Sequence, residues 1–292
     1  PTLTVLSDHE LYCRFFEKGH VGVVLPYRWC DESKTVEKTQ REINAGRAQT
    51  ELKYVRDKHT LLIPKTTGKV TIGIPCFNHA KYLKTSVGSA LAQTYQDLEI
   101  IILNDGGTDN FTDVVREFTD PRIKVMAFPE NMGIWEAQNQ MAFRAEGEFY
   151  VPFAADDIME PTCIERCLQE FQNNPWLELV ACHTDFIDEN GAPFNSVKDN
   201  IMADIPQMVS GPREEMLIRL HPGNKYHGIG MYRTKVLSDV GGWEKEYKVL
   251  ADYQMYLKLL QREAYCVIPE ILVHTRNDGA NYSLLKGERL KE

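Results

Sequence analysis

From Lys69 onward, short uncharged runs of strand length alternate with longer stretches of helical periodicity, and this rhythm constrains the fold more than any other feature of the 292-residue chain. The pattern predicts strands over Val70–Ile74, Leu98–Leu103 and Ile123–Phe128. Between them it predicts helices over Ala80–Gln93 and Phe111–Phe118, then a helix over Gly133–Ala145 that leads into a strand beginning at Phe149. Strands separated by helices of this length make right-handed βαβ units and a parallel sheet covered on both faces. The fold class is therefore α/β, doubly wound.

The strand from Phe149 to Ala155 carries no charge and ends abruptly in Asp156 and Asp157. Ligands of open α/β sheets bind at the carboxyl ends of the strands, where two anionic oxygen donors can hold a divalent cation against a phosphate-bearing substrate. Aspartate before Ile158-Met159-Glu160-Pro161 also suits a helix N-cap, but one aspartate would serve for that. The other strands end in equally suggestive loops. The first runs into Pro75-Cys76-Phe77-Asn78, the second into Asn104-Asp105-Gly106-Gly107-Thr108-Asp109, the third into Pro129-Glu130-Asn131-Met132-Gly133. Asp105 can accept a hydrogen bond from a base imide, and the glycines let backbone approach a ligand closely, although such a segment alone is more often a turn. No Gly-x-Gly-x-x-Gly follows the first strand and no Gly-Lys-Ser/Thr occurs, which removes the basis for dinucleotide and P-loop readings.

Charge narrows the classes further. A net charge of −9 and a pI near 5.5 argue against general affinity for nucleic acid. No stretch has the apolar length of a transmembrane segment, and no signal-peptide pattern opens the chain. Seven cysteines without framework spacing suggest free thiols in a reducing compartment. Cys163 and Cys167 fall on one face of a helix, where buried small hydrophobes are the better reading than zinc ligands.

Residues 1–66 follow a different plan. Val5-Leu6-Ser7-Asp8-His9-Glu10-Leu11-Tyr12 lines up with Val249-Leu250-Ala251-Asp252-Tyr253-Gln254-Met255-Tyr256, and a proline follows each copy (Pro26, Pro269). The similarity predicts that residues 1–33 close an upstream domain of the same kind. Residues 34–66 are polar and helix-prone, the pattern of a bridging helix and linker. The expected organisation is thus an N-terminal helical extension over 1–66 and a main domain over 67–292.

Taken in order and spacing, the Pro75–Asn78, Asn104–Asp109, Glu130–Gly133 and Asp156–Pro161 motifs resemble the GT-A glycosyltransferases of family 2, over about residues 69–285. The resemblance implies a GT-A mixed sheet flanked by helices, a nucleotide-diphosphate-sugar donor, a Mn²⁺ or Mg²⁺ ion, and inversion at the anomeric carbon. By the same resemblance Pro75, Phe77 and Asn78 line the nucleoside, Asp105 recognises the base, and Asn131 and Gly133 complete the donor site. Asp156 takes the place of the usual metal ligand, with Asp157 beside it. Ala154 stands where a ribose-contacting aspartate is usual, a departure that bears on donor choice.

Later segments extend the likeness. Asp185–Gly191 resembles the hairpin on the acceptor side, and residues 192–226, with weak periodicity, read as acceptor-side loops. His227–Arg233 and Val240–Trp243 resemble the lead into a catalytic helix, on which Asp252 matches the family's base and Ala251 replaces its Glu. Asp at a helix start is also a good cap. Ile271–Asp278 resembles the closing segment, with Arg276 matched to a diphosphate contact, Asp278 standing where a metal-binding His is usual, and His274 packing or facing solvent. Together these imply a non-processive, inverting transfer to a hydroxyl of a glycan or lipid-linked glycan, in the cytoplasm or at the cytoplasmic face of a membrane. A neighbouring transferase domain is the expected partner. Processive synthases carry Gln-x-x-Arg-Trp and membrane helices, neither of which is present. Two rivals are a lapsed transferase domain, suggested by Ala154 and Ala251, and a sugar-1-phosphate nucleotidyltransferase, whose Gly-rich basic loop is missing after the first strand.

Overall fold

The computed structural model describes residues 68–193, 230–260 and 265–277. The expected extension over 1–66, most of the 192–226 loops, His227 to Ile229 and Asp278 lie outside the described residues. In chain order the elements are β1 (Val70–Cys76), α1 (Ala80–Leu91), β2 (Leu98–Asp105), α2 (Phe111–Val115), β3 (Ile123–Phe128), α3 (Ile134–Ala142), β4 (Phe149–Pro152) and β5 (Ile158–Met159). There follow α4 (Cys163–Asn173), β6 (Leu179–Ile187), β7 (Gly230–Arg233), α5 (Thr234–Asp239), a 3₁₀ turn (Lys245–Leu250), α6 (Ala251–Leu260) and β8 (Tyr265–Arg276).

Among the described residues these strands form one sheet, ordered β3-β2-β1-β4-β7-β6-β8-β5. β1 pairs in parallel with β2 and β4, and β2 with β3. β7 runs antiparallel to both β4 and β6, and β8 runs parallel to β6. The carboxyl ends of β1, β2, β3, β4, β6 and β8 therefore share one edge. The sheet is mixed, and its parallel majority collects the loops singled out above along that edge.

All seven residues of β1 are buried, as a central parallel strand covered on both faces requires. Strand alternation then sorts side chains into two cores. Ile72, Ile74, Ile100, Phe149 and Val151 pack on one face with Leu83 of α1 and Phe171 of α4. Ile101, Leu103, Tyr150 and Tyr232 pack on the other with Met141 of α3, Trp243 and Met255 of α6. Each such side chain taken fully from water contributes about 1.5–3 kcal/mol before entropy is counted. Gly73 of β1 leaves room for the Tyr150 side chain, since a Cβ there would collide with the Tyr150 hydroxyl.

The helices follow their patterns with shortened ends. In α1, Ala80, Leu83, Val87 and Ala90 form the buried stripe. The chain leaves the helix at Gln93, whose buried amide bonds the Glu160 carbonyl (2.8 Å) and the Ile164 amide (3.0 Å), tying α1 to the start of α4. α2 stops at Val115 rather than at Phe118. β4 stops at Pro152 rather than at Ala155, and just beyond it the Ala154 carbonyl accepts a bond from the Ser86 hydroxyl on α1. β6 runs as far as Ile187 because β8 pairs with it up to Arg276. Cys163 and Cys167 are fully buried on one face of α4, in the small-hydrophobe role expected of them.

Candidate active site

Two clusters of polar groups stand at the shared edge. The first joins the ends of β1, β2 and β3. Asp105, only 2% exposed, accepts the backbone N–H groups of Met132 (2.8 Å) and Gly133 (3.0 Å), one on each carboxylate oxygen. Asn131 also holds the Gly133 amide, at 2.8 Å, and Gly133 takes φ 89°, which leads the loop into α3. Asp105, Asn131 and Gly133 thus form one unit. Gly106, at φ 70°, passes so close to the Glu130–Asn131 backbone that any Cβ would collide with it.

On the β1 side, Asn78 adopts the left-handed region (φ 57°), and its side-chain oxygen accepts the Thr108 amide at 2.8 Å. Asp109 accepts the Ala80 amide at 2.8 Å and so closes the start of α1 from a different loop. Phe77 is 45% exposed at this lip, whereas Pro75 lies buried within β1, between β2 and β4. Burial pushes the neighbouring Cys76 thiol up to about 12, which leaves it protonated and no nucleophile.

The second cluster surrounds the aspartate pair, and no helix starts there. β5 follows directly, and α4 begins only at Cys163, so the pair is not the helix cap that its sequence context also allowed. Asp157 turns onto β8, where it accepts the Arg276 backbone amide (3.0 Å) and stands 3.5 Å from the Thr275 hydroxyl. Burial, and after it the charge of Asp156, push its carboxyl up to about 8. Asp156 lies with one oxygen 3.9 Å from Nδ1 of His79. Nothing in the spacing of residues 79 and 156 announces that approach.

Arg276, expected against a diphosphate, is 3% exposed and serves the backbone of this turn. Its Nε donates to the Asp156 carbonyl (2.9 Å), and one terminal nitrogen donates to the carbonyls of Asp188 (2.7 Å) and Glu189 (2.9 Å). Its guanidinium lies 4.5 Å over the Tyr82 ring. His274, two residues earlier, bonds Glu160 at 2.7 Å.

Asp252 occupies the first turn of α6 and is half-buried. Burial, and after it the charge of Asp252 among others, raises the phenols of Tyr232 and Tyr256. Ala251, Met255, Tyr256 and Leu259 anchor that helix in the second core. Trp243, just upstream, is held by reciprocal bonds with Asn139 of α3 at 2.8 and 2.9 Å.

The donor set at the edge is of hard oxygen with one imidazole close by, a chemistry that fits Mn²⁺ or Mg²⁺. Among the described residues no group of three or more His, Cys, Asp or Glu could hold an ion alone. An ion of this kind commonly takes one or two carboxylates and completes its shell with water and substrate phosphate. Asp156 brings a carboxylate to this edge beside His79, while Asp157 has its oxygens directed to β8.

An eight-stranded mixed sheet whose parallel edge carries an acidic turn beside a glycine-bearing loop is the GT-A arrangement of glycosyltransferases. Solved structures of that class share it. TarS of S. aureus, in complex with UDP-GlcNAc, superposes with a TM-score of 0.59 at 17% identity over 73% of this chain and 60% of its own. The mannosyltransferase PcManGT of Pyrobaculum calidifontis, in complex with GDP-Man and Mn²⁺, gives 0.55 at 18% identity over 74% and 59%. The family model for glycosyl transferase family 2 matches residues 71–241, more than half of the chain. The chain belongs to that family and is a glycosyltransferase. Among curated relatives, the hyaluronan synthase of Pasteurella multocida is 29% identical over 234 residues, which are 80% of this chain and 22% of that protein. The chondroitin synthase of Escherichia coli is 29% identical over 225 residues, 76% of this chain and 31% of that protein. The chain thus spans less than a third of the length of either relative.

Proposed function

We propose that the chain transfers a sugar, with inversion, from a nucleotide-diphosphate donor to a hydroxyl of a growing glycan, as one unit of a polysaccharide synthase. The observation that carries this reading is the buried Asp156–Asp157 turn at the parallel edge, across from the loop that Asp105 closes. Donor binding is assigned to that edge. Phe77 offers an exposed aromatic face to a base, Asn78 and Gly107 bring backbone close to the nucleoside, and Asp105 has further lone pairs for a base N–H beyond the two amides it already accepts. Pro75 contributes through the rigidity of the strand end beneath them.

Asp156 is the residue assigned to hold Mn²⁺ or Mg²⁺, with Asp157 and Asp278 as its proposed supports. A bound ion there supplies charge neutralisation for the departing diphosphate. Arg276 adds a fixed positive charge behind the turn and keeps the Asp156 carbonyl and the Asp188–Glu189 hairpin in register. Asp252 is assigned the proton of the acceptor hydroxyl as that oxygen attacks the anomeric carbon from the face opposite the leaving group. The greater length of the relatives fits a second transferase unit beside this one, and their synthase names fit a growing polysaccharide as acceptor.

Incubating the chain with UDP- and GDP-sugars, Mn²⁺ and glycan oligosaccharides, with and without EDTA, tests the reading. Product of inverted anomeric configuration, dependent on the ion, is the expected result. Asp252→Asn is expected to lower kcat by about 10²–10⁴-fold with donor affinity kept, the span typical of a lost general base. Unchanged turnover removes that role from Asp252.

A further inference from the structure

We propose that His79 is a nitrogen ligand of the divalent cation held at Asp156, acting through Nδ1; this rests on the reading of Asp156 as the cation's carboxylate. The two groups come from distant parts of the sequence and meet only because β1 and β4 are neighbours that end on the same edge. Their separation, 3.9 Å between Nδ1 and a carboxylate oxygen, is too long for a hydrogen bond. Ligands about 2.1 Å from one octahedral ion lie about 3.0 Å apart when adjacent and about 4.2 Å apart when opposite, so the pair lies within the span of a shared ion and closes by about an ångström to take adjacent positions on it.

The imidazole is placed by its surroundings from several sides. Asn78, left-handed and bonded to Thr108, fixes the residue before it, and Ala80, bonded to Asp109, fixes the residue after it. The ring meets Tyr82 edge-on, with centroids 6.1 Å apart and planes at 70°. Tyr82 in turn lies under the Arg276 guanidinium, and Arg276 donates to the backbone carbonyl of Asp156 itself. His79, Tyr82, Arg276 and Asp156 therefore close a ring of contacts that holds the imidazole and the carboxylate in fixed relation. The His79 side chain is 31% exposed, so the face away from the protein is open to substrate phosphate oxygens. One carboxylate, one imidazole and two diphosphate oxygens make a shell that Asp156 alone does not provide, in a region where no three protein ligands converge among the described residues.

A nitrogen ligand carries a spectroscopic mark and a metal preference. Mn²⁺ bound to the chain in the presence of UDP or GDP is expected to show nitrogen coupling in its electron spin-echo modulation. The coupling should change on ¹⁵N-histidine labelling and disappear in His79→Ala. Titration should find Mn²⁺ binding to His79→Ala weaker by about tenfold, the lower end of what losing a metal-site partner costs. Mg²⁺ binding should fall less, since its shell is built of oxygen. Asp156→Asn should abolish binding of either ion. If Asp156→Asn loses the ion while His79→Ala binds Mn²⁺ like the parent, or the parent spectrum carries no nitrogen coupling, His79 is no ligand and the Asp156 reading stands. If Asp156→Asn binds Mn²⁺ unchanged, the reading of Asp156 fails and the role of His79 falls with it. The parent spectrum decides the matter even should a variant fold poorly.

Discussion

Adjacent acidic residues behave differently once their surroundings are fixed, and the aspartate pair shows how far. Asp157 is turned inward to β8 and its carboxyl is pushed up to about 8, whereas Asp156 faces His79. In the absence of a divalent ion, the folded chain keeps a proton on Asp157 that the unfolded chain releases near its ordinary value of 3.8. The native state then binds more protons than the unfolded state between about pH 4 and pH 8, so this residue makes stability fall as pH rises across that window. Asp157→Asn cannot ionise and keeps an acceptor for the Arg276 amide. Thermal melts in EDTA are expected to show the variant gaining on the parent from pH 5 to pH 8. A parallel pH dependence in the two proteins contradicts the assignment of the shift to this carboxyl.

At the scale of elements, the catalytic reading depends on how α6 is delivered to the site. Its buried face sits in the core shared with Tyr150 and Tyr232, and the approach to it is pinned where Asn139 of α3 bonds the Trp243 backbone in both directions. Trp243 also stacks with Trp135 at 6.0 Å and meets Tyr232 edge-on at 5.4 Å. Asn139→Ala leaves a buried amide and a buried carbonyl without their partner, at a cost of about 2–3 kcal/mol. Because the damage lies under α6 and away from the donor loops, kcat should drop while donor affinity holds. Isothermal titration beside steady-state kinetics checks that separation; equal loss of both places Asn139 under the donor site as well.

For the whole molecule, the parallel edge gathers the loops after β1, β2 and β3 with the acidic turn and the end of β8, so a ligand there should stabilise the entire sheet. Nucleoside diphosphate with Mn²⁺ at a hundred times its dissociation constant is expected to add about 2.7 kcal/mol to unfolding, and EDTA should remove most of it. UDP and GDP compared in this way identify the base. A shift insensitive to EDTA contradicts a shared ion between Asp156 and the diphosphate.

The order of strands and helices from Val70 to Ala142 was written in the sequence, because each element there is long enough for its period to show. β3 runs over the expected Ile123–Phe128, and α1 and α3 differ only at their ends. The acidic turn and the Asn104–Asp109 loop were equally legible, since strand ends in such a sheet gather ligand-binding residues. The sequence could not say what each carboxylate touches. Asp105 and Asp157 both read as ligand groups, and the fold adds that each accepts backbone amides, from the loop after β3 and from β8. Arg276 matched a diphosphate contact by resemblance, and the three carbonyls its guanidinium holds are visible only in the fold. His79 carried no signal at all until β1 and β4 lay side by side. Local periodicity follows from residues within a few positions of one another, and the chain states it directly. Which oxygen faces a backbone amide and which faces an open rim is set by segments that meet across 27 residues at Asp105 and 119 at Asp157, and only the pairing of the strands decides it.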